Sequence, residues 1–172
     1  MCHRRISSNA AVRAGVQRFA PSEWTSSSFD HMAWYAGKIE IRELLKTLNK
    51  DKKVLEYCLF QPGMLMNYLA HLLKITKHIP ISQTPIDFAN RRVLLVERSE
   101  DAYITLTTPH DFANVVAKAV EYEGEWPLVG GIQGSNLTIP ELITLGEKIR
   151  GTSYSDCLPS IARKSDGPWR IR

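Results

Sequence analysis

Apolar residues along this chain fall into short runs of two different spacings, and the alternation between them sets the expected order of elements. Residues 9 to 15 read as the end of a helix closing at Gly15, followed by a short strand from Val16 to Ala20 that Pro21 stops. Ser22 to Asp30 is a polar loop. Trp34, Lys38, Ile41 and Leu45 then recur at i, i+4, i+7 and i+11, the spacing of one helix face running to about Asn49. Val54 to Phe60 is a mostly apolar strand, of the kind covered on both faces in a parallel sheet, and Gln61-Pro62-Gly63 is the turn that ends it. Strand, helix and second strand make a βαβ crossover, so parallel pairing is expected. Ligands in such sheets bind beyond the carboxyl ends of the strands, where Pro21-Ser22-Glu23 and Gln61-Pro62-Gly63 fall.

Further along, the pattern predicts a helix from about Met64 to Leu73 and a Pro-containing loop from His78 to Phe88. A hairpin follows, from Val93 to Glu97 and from Tyr103 to Thr107. Thr108, Pro109 and Asp111 open a helix that carries Phe112, Val115, Val116 and Ala119 inward. Trp126 to Gly131 reads as one more short strand. Gly130-Gly131-x-x-Gly134 is not read as a phosphate loop, because it follows a Pro-containing strand and leads into another polar turn. Thr138 and Glu141 form a capping box, Leu142, Leu145 and Ile149 a stripe, and Gly151 ends that helix. Beyond it the apolar period fades, and a weakly ordered tail is expected over residues 152–172.

Composition narrows the classes. With 172 residues, 44% hydrophobic and 23% charged, the chain has the makings of one globular core. Cys2, Cys58 and Cys157 are widely spaced and odd in number, which suggests neither a disulfide framework nor a metal site and fits a reducing, cytoplasmic setting. The net charge of +4 gathers at the ends of the chain (Arg4, Arg5, Arg163, Lys164, Arg170, Arg172), so no nucleic-acid partner is expected. Leu55 to Ile75 approaches the length of a membrane span. Pro62-Gly63 breaks it, and Glu56, Gln61, Asn67 and His71 are spread along it, so a buried strand, a turn and a helix are expected instead.

Lys38 stands out because it lies between Trp34 and Ile41 on an apolar helix face, where a lysine either snorkels past its neighbours or meets a specific polar partner. Tyr35 lies beside it at i−3. No G-x-G-x-x-G loop occurs in the sequence, and the 17 residues before Arg18 are too few for the βαβ unit of roughly 30 residues that such a loop requires.

The ordered succession of Ala14 to Trp24, Trp34-Tyr35-Ala36-Gly37-Lys38, Leu59-Phe60-Gln61-Pro62-Gly63, Ile104 to Thr108 with Asp111, and Gly130-Gly131-Ile132-Gln133-Gly134 resembles the NmrA-like and isoflavone-reductase-like family of atypical short-chain dehydrogenase/reductases, its fungal members in particular. The resemblance covers residues 9 to 151. It implies an α/β fold: the second half of an NAD(P)-binding Rossmann sheet over residues 1–75, with a smaller α+β substrate region over residues 76–151. It also implies NADP(H), or less often NAD(H), as cofactor and a small-molecule substrate. Lys38 takes the place of the family lysine that holds the nicotinamide ribose and assists proton transfer. Pro21, Ser22 and Glu23 would flank the nicotinamide, Phe60, Gln61, Pro62 and Gly63 would line the far side, and Met64, Asn67 and Tyr68 would face substrate. The interval from Tyr35 to Lys38 is three residues rather than the usual four, which puts Trp34 at the usual tyrosine position and makes Tyr35 the candidate proton donor. Three functions follow: a truncated oxidoreductase, inactive alone; a non-catalytic dinucleotide sensor or interaction protein; or a gene-model fragment without independent function.

Overall fold

The computed structural model describes residues 3–30, 32–70, 73, 76–77, 79, 84–96, 101–151, 160–162 and 170–171. In chain order the elements are α1 (His3–Arg13), β1 (Arg18–Phe19), a 3-10 turn (Ala33–Tyr35), α2 (Ala36–Leu48), β2 (Glu56–Tyr57), β3 (Leu59–Gln61), β4 (Met64–Leu65) and a second 3-10 turn (Met66–Ala70). There follow β5 (Ile86–Asp87), β6 (Arg92–Val93), β7 (Leu95–Val96), β8 (Tyr103–Thr107), α3 (Pro109–Glu121), β9 (Val129–Gly131), β10 (Ser135–Thr138), α4 (Ile139–Arg150), β11 (Ser160–Ala162) and β12 (Arg170–Ile171). They form two compact units, Met1–Gly63 with His110–Ile132, and Met64–Pro109 with Gln133–Arg172.

The first unit is built around the stretch from Leu55 to Gln61. β1 pairs in parallel with β2, Arg18 opposite Glu56, and β3 pairs in parallel with β9, Leu59 opposite Val129. Two bonds carry the ladder across the break at Cys58, its N–H donating to Phe19 O at 3.2 Å and the Leu59 N–H to Leu128 O at 2.9 Å. Successive strand residues point to opposite faces, so this stretch serves two cores. Leu55, Tyr57 and Leu59 pack with Ile41 and Leu45 of α2, and with Val12 of α1 beside them. Cys58 and Phe60 pack with Phe112 of α3 and with Trp126, alongside Val116 and Ala119. Each such side chain contributes about 1.5–3 kcal/mol on burial, which explains why both faces of so short a strand are apolar. The βαβ crossover and the parallel sheet expected from the sequence are present.

In the second unit β8 lies between β4, parallel to it, and β10, antiparallel to it. β5 and β6 form an antiparallel ribbon, and β11 pairs in parallel with β7 and antiparallel with β12. Ile86, Val93, Leu106 and Leu142 make its core.

Several elements differ from the sequence expectation. Trp34 sits in a 3-10 turn and is 73% exposed, because three residues per turn rotate it off the face that Lys38, Ile41 and Leu45 share. Met64 and Leu65 form a strand on β8 rather than opening a helix, and only the 3-10 turn follows within the described residues. Val93 pairs with Ile86 and β8 with β4 and β10, so among the described residues no hairpin joins the two runs; alternation marks a strand but does not name its partner. Ser135 to Thr138, expected as a polar turn, is a strand held by its ladder to β8. In α4 Leu145 and Ile149 are exposed, and the inward row is Ile139, Leu142, Ile143 and Gly146, with the Phe88 ring lying where a Gly146 side chain would be. Val115 and Val54 are likewise exposed. The sequence reading divides the chain after residues 75 and 151; the compact units themselves exchange chain after Gly63, Pro109 and Ile132, because α3 and β9 return to the first unit. Of the expected weakly ordered tail, residues 152–159, 163–169 and 172 lie outside the described residues.

Candidate functional site

Within the first unit the parallel strands bring their carboxyl ends to one edge. Pro21-Ser22-Glu23 follows β1, Pro62-Gly63 follows β3 and Ile132 follows β9, the Ile132 N–H donating to Gln61 O at 3.0 Å. Since α2 returns from β1, its first turn lies at this edge, and that turn carries Lys38.

Lys38 is 7% exposed and Glu23 1% exposed, so both charged groups need partners inside the protein. The Lys38 ammonium donates to the backbone carbonyl of Glu23, and Nζ lies 5.2 Å from the centroid of the Tyr35 ring. A tight turn positions that carbonyl: the Glu23 N–H donates to Pro21 O at 2.7 Å, and the next residue, Trp24, has φ 28°. The Glu23 side chain is held by Arg42, one helical turn after Lys38, whose Nε donates to Oε2 at 2.8 Å and whose Nη2 lies 2.7 Å from the same oxygen. Arg42 also donates to Ser27 O at 2.6 Å and Ser26 O at 3.1 Å, and its guanidinium lies 4.1 Å over the Phe29 ring. Phe29 is in turn 5.0 Å from Tyr35, ring to ring.

The structure therefore brings Pro21, Glu23, Tyr35 and Lys38 together. Ser22 adjoins them and is exposed. Phe60 is buried against Trp126, rings 5.7 Å apart, so its side chain belongs to the core behind the edge. Pro62 is buried too, Gln61 is half-buried, and Gly63 takes φ 68°, a conformation that favours glycine. Met64, Asn67 and Tyr68 belong to the second unit, where they are half-buried and Met64 packs on the Leu106 core.

Sequence reasoning missed two parts of this unit. Arg42 was legible as a charge four residues after Lys38; its partnership with Glu23 was not, since that depends on how the intervening loop folds back. The second is a clasp at the start of the sheet. Arg18 Nε donates to Glu56 Oε2 at 3.0 Å across the β1–β2 register, and its two Nη groups donate to Tyr122 O and Gly124 O. Glu56 also accepts from the Trp126 N–H, whose indole donates to Ala119 O at 2.8 Å. That Trp126 amide, helped by Arg18 and opposed by desolvation, holds the Glu56 carboxyl below its ordinary range. Burial pushes the Cys58 thiol up, the Gly130 N–H offsetting part of this, and burial also raises Tyr57. Among the described residues no cluster of His, Cys, Asp and Glu could hold a metal, and no helix is long and apolar enough to cross a membrane.

An α/β unit with a parallel sheet and a buried lysine at its carboxyl edge defines the class. The NmrA-like family model matches residues 8–156, and the chain belongs to that family. Its fold is similar to that of the solved structure "AtPrR2 with NADP+ and (+)pinoresinol", at 16% sequence identity and a TM-score of 0.61, over 90% of this chain and 48% of that one. The chain thus spans about half the length of that structure. No curated protein matches it.

Proposed function

We propose that the first unit carries the nicotinamide end of an NADP(H)-dependent oxidoreductase site, with NAD(H) as the second choice of cofactor and a small organic molecule as substrate, working in the cytoplasm. The observation that carries this reading is the buried Lys38, its ammonium fixed at the carboxyl edge of a parallel sheet between the Glu23 carbonyl and the Tyr35 ring. Ligands of doubly wound sheets bind at that edge. The similarity in fold to a structure holding NADP+ and (+)pinoresinol supports the same reading.

The residues present fit one end of the cofactor. Lys38 offers an ammonium to ribose hydroxyls, Pro21, Ser22 and Glu23 form the adjoining wall, Gln61 ends β3, and Pro62 and Gly63 follow it. No G-x-G-x-x-G loop occurs in these 172 residues, so no residue is assigned to the diphosphate. The cofactor would supply hydride. Lys38 would hold the ribose and, with Tyr35 as proton donor, steady charge developing on a substrate oxygen.

A second reading, a non-catalytic dinucleotide sensor or interaction protein, is favoured by one feature: the Lys38 ammonium is already engaged by a backbone carbonyl. The two are separable by experiment. Calorimetry of the chain with NADPH should show no binding at micromolar concentration, because phosphate contacts supply much of the affinity. Fusion to the amino-terminal βαβ unit of an NmrA-like relative should restore binding. In that fusion Lys38→Met should lower hydride transfer by about a hundredfold or more if the protein is a reductase. Tight NADPH binding by the chain alone would overturn the first expectation. Full turnover in the Lys38→Met fusion would remove Lys38 from the chemistry, and a fusion that binds NADPH but transfers no hydride would leave the sensor reading.

A further inference from the structure

We infer that Arg42 is the positioning residue for Lys38, acting through Glu23. The inference deepens the reading just given, on which its functional meaning rests, while its physical content stands on the geometry alone.

Arg42 and Lys38 are four residues apart on α2, so their side chains leave the same face one above the other. They grip the two ends of one residue. Lys38 takes the main-chain carbonyl of Glu23, and Arg42 takes its carboxylate through Nε and Nη2. The same guanidinium holds the carbonyls of Ser26 and Ser27 and lies over Phe29. It therefore ties the descending limb of the loop, residues 23 to 29, to the helix at several points. The planar guanidinium fork makes this possible, whereas an ammonium is a single point of attachment. Glu23 is buried, so its carboxylate cannot exchange Arg42 for water without the loop lifting away. Once the loop lifts, the carbonyl that fixes the Lys38 ammonium moves with it. The Glu23 carboxylate thus anchors the backbone whose carbonyl receives the Lys38 ammonium.

The consequence is a specific coupling: a change at Arg42, which holds the Glu23 carboxylate rather than its carbonyl, should release the Lys38 ammonium. Heteronuclear NMR of lysine side-chain ammonium groups reads this on the full chain, with the Lys38 signal assigned by its loss in Lys38→Met. A buried, hydrogen-bonded ammonium exchanges slowly with water and gives a sharp signal. In Arg42→Met proton exchange at Lys38 should accelerate by about tenfold or more, the scale of one lost charge-assisted hydrogen bond, while the backbone amide spectrum stays dispersed. Arg42→Lys, which keeps the charge and loses the fork, should fall between, and Glu23→Gln should resemble Arg42→Met. An unchanged Lys38 signal in folded Arg42→Met overturns the inference. Should that variant lose its amide dispersion, Arg42→Lys decides: exchange like the parent refutes the role of the fork, and faster exchange supports it. None of these readouts uses NADPH, so failure of the oxidoreductase reading leaves them intact, and in an active fusion the coupling should appear as a fall in kcat larger than any change in KM.

Discussion

Glu56 shows how much one carboxylate can be asked to do in a small sheet. It opens β2, accepts from the Trp126 amide and meets Arg18 across the register, and these contacts lower its pKa from the ordinary value of 4.5. A carboxyl with a depressed folded-state pKa contributes stability that is complete above its unfolded value and is lost as pH falls through the folded one. Glu141, held by the Thr138 amide and hydroxyl, has the same sign. Glu56→Gln should therefore lower the urea midpoint at neutral pH and flatten the acid limb of a stability profile below pH 4.5; an acid limb identical to the parent's would refute this. Gly130 presents the opposite kind of constraint, one of volume. A Cβ there would lie 2.8 Å from both Cys58 Sγ and Phe60 Cδ1, and both belong to the packed face under α3. Gly130→Ala should cost about 1–3 kcal/mol in chemical denaturation, the usual range for overpacking.

Elements whose signals are local were legible, and those that depend on a distant partner were not. The helix at α4 announces itself by Thr138, Pro140, Glu141 and Gly151, and the structure shows the reciprocal capping box and Gly151 at φ 67°. Replacing Thr138 by alanine should destabilise the protein by about 1 kcal/mol, measured by urea unfolding. Helix α2 was legible from Lys38, Ile41 and Leu45, and the apolar stretch ending at Phe60 as a strand with two buried faces. By contrast β4 has two residues and β10 has one large apolar side chain in four, so neither carries a period of its own. Their strand geometry is imposed by β8, which a single-sequence pattern cannot see. The candidate site divides in the same way. Helix spacing singles out the placement of Lys38, and the family resemblance nominates it with Tyr35, whereas the partnership of Arg42 with Glu23 is a property of a folded loop.

At the scale of the whole molecule, the first unit is assembled from two separate stretches of chain, because α3 and β9 come back to a sheet begun long before. A fragment covering residues 1–75, the boundary suggested by sequence, therefore omits Phe112, Trp126 and the β9 partner of β3. Such a fragment should lack a cooperative thermal transition and bind hydrophobic dyes, since Cys58 and Phe60 would be left facing water and β3 would present an open edge. A sharp, monomeric melt of residues 1–75 in circular dichroism would refute that. Extending the fragment to Ile132 restores both partners and should restore cooperativity.

The two faces of the Leu55–Gln61 strand also differ in when they can be completed. The face against α2 closes over a short loop, so its contacts are available as soon as the strand itself exists. The face against α3 and Trp126 waits for the intervening chain, and on a ribosome it waits for synthesis as well. During that interval Phe60 and Cys58 are accessible to any other apolar surface. The central strand of this sheet is thus completed one face at a time, the α2 face before the α3 face.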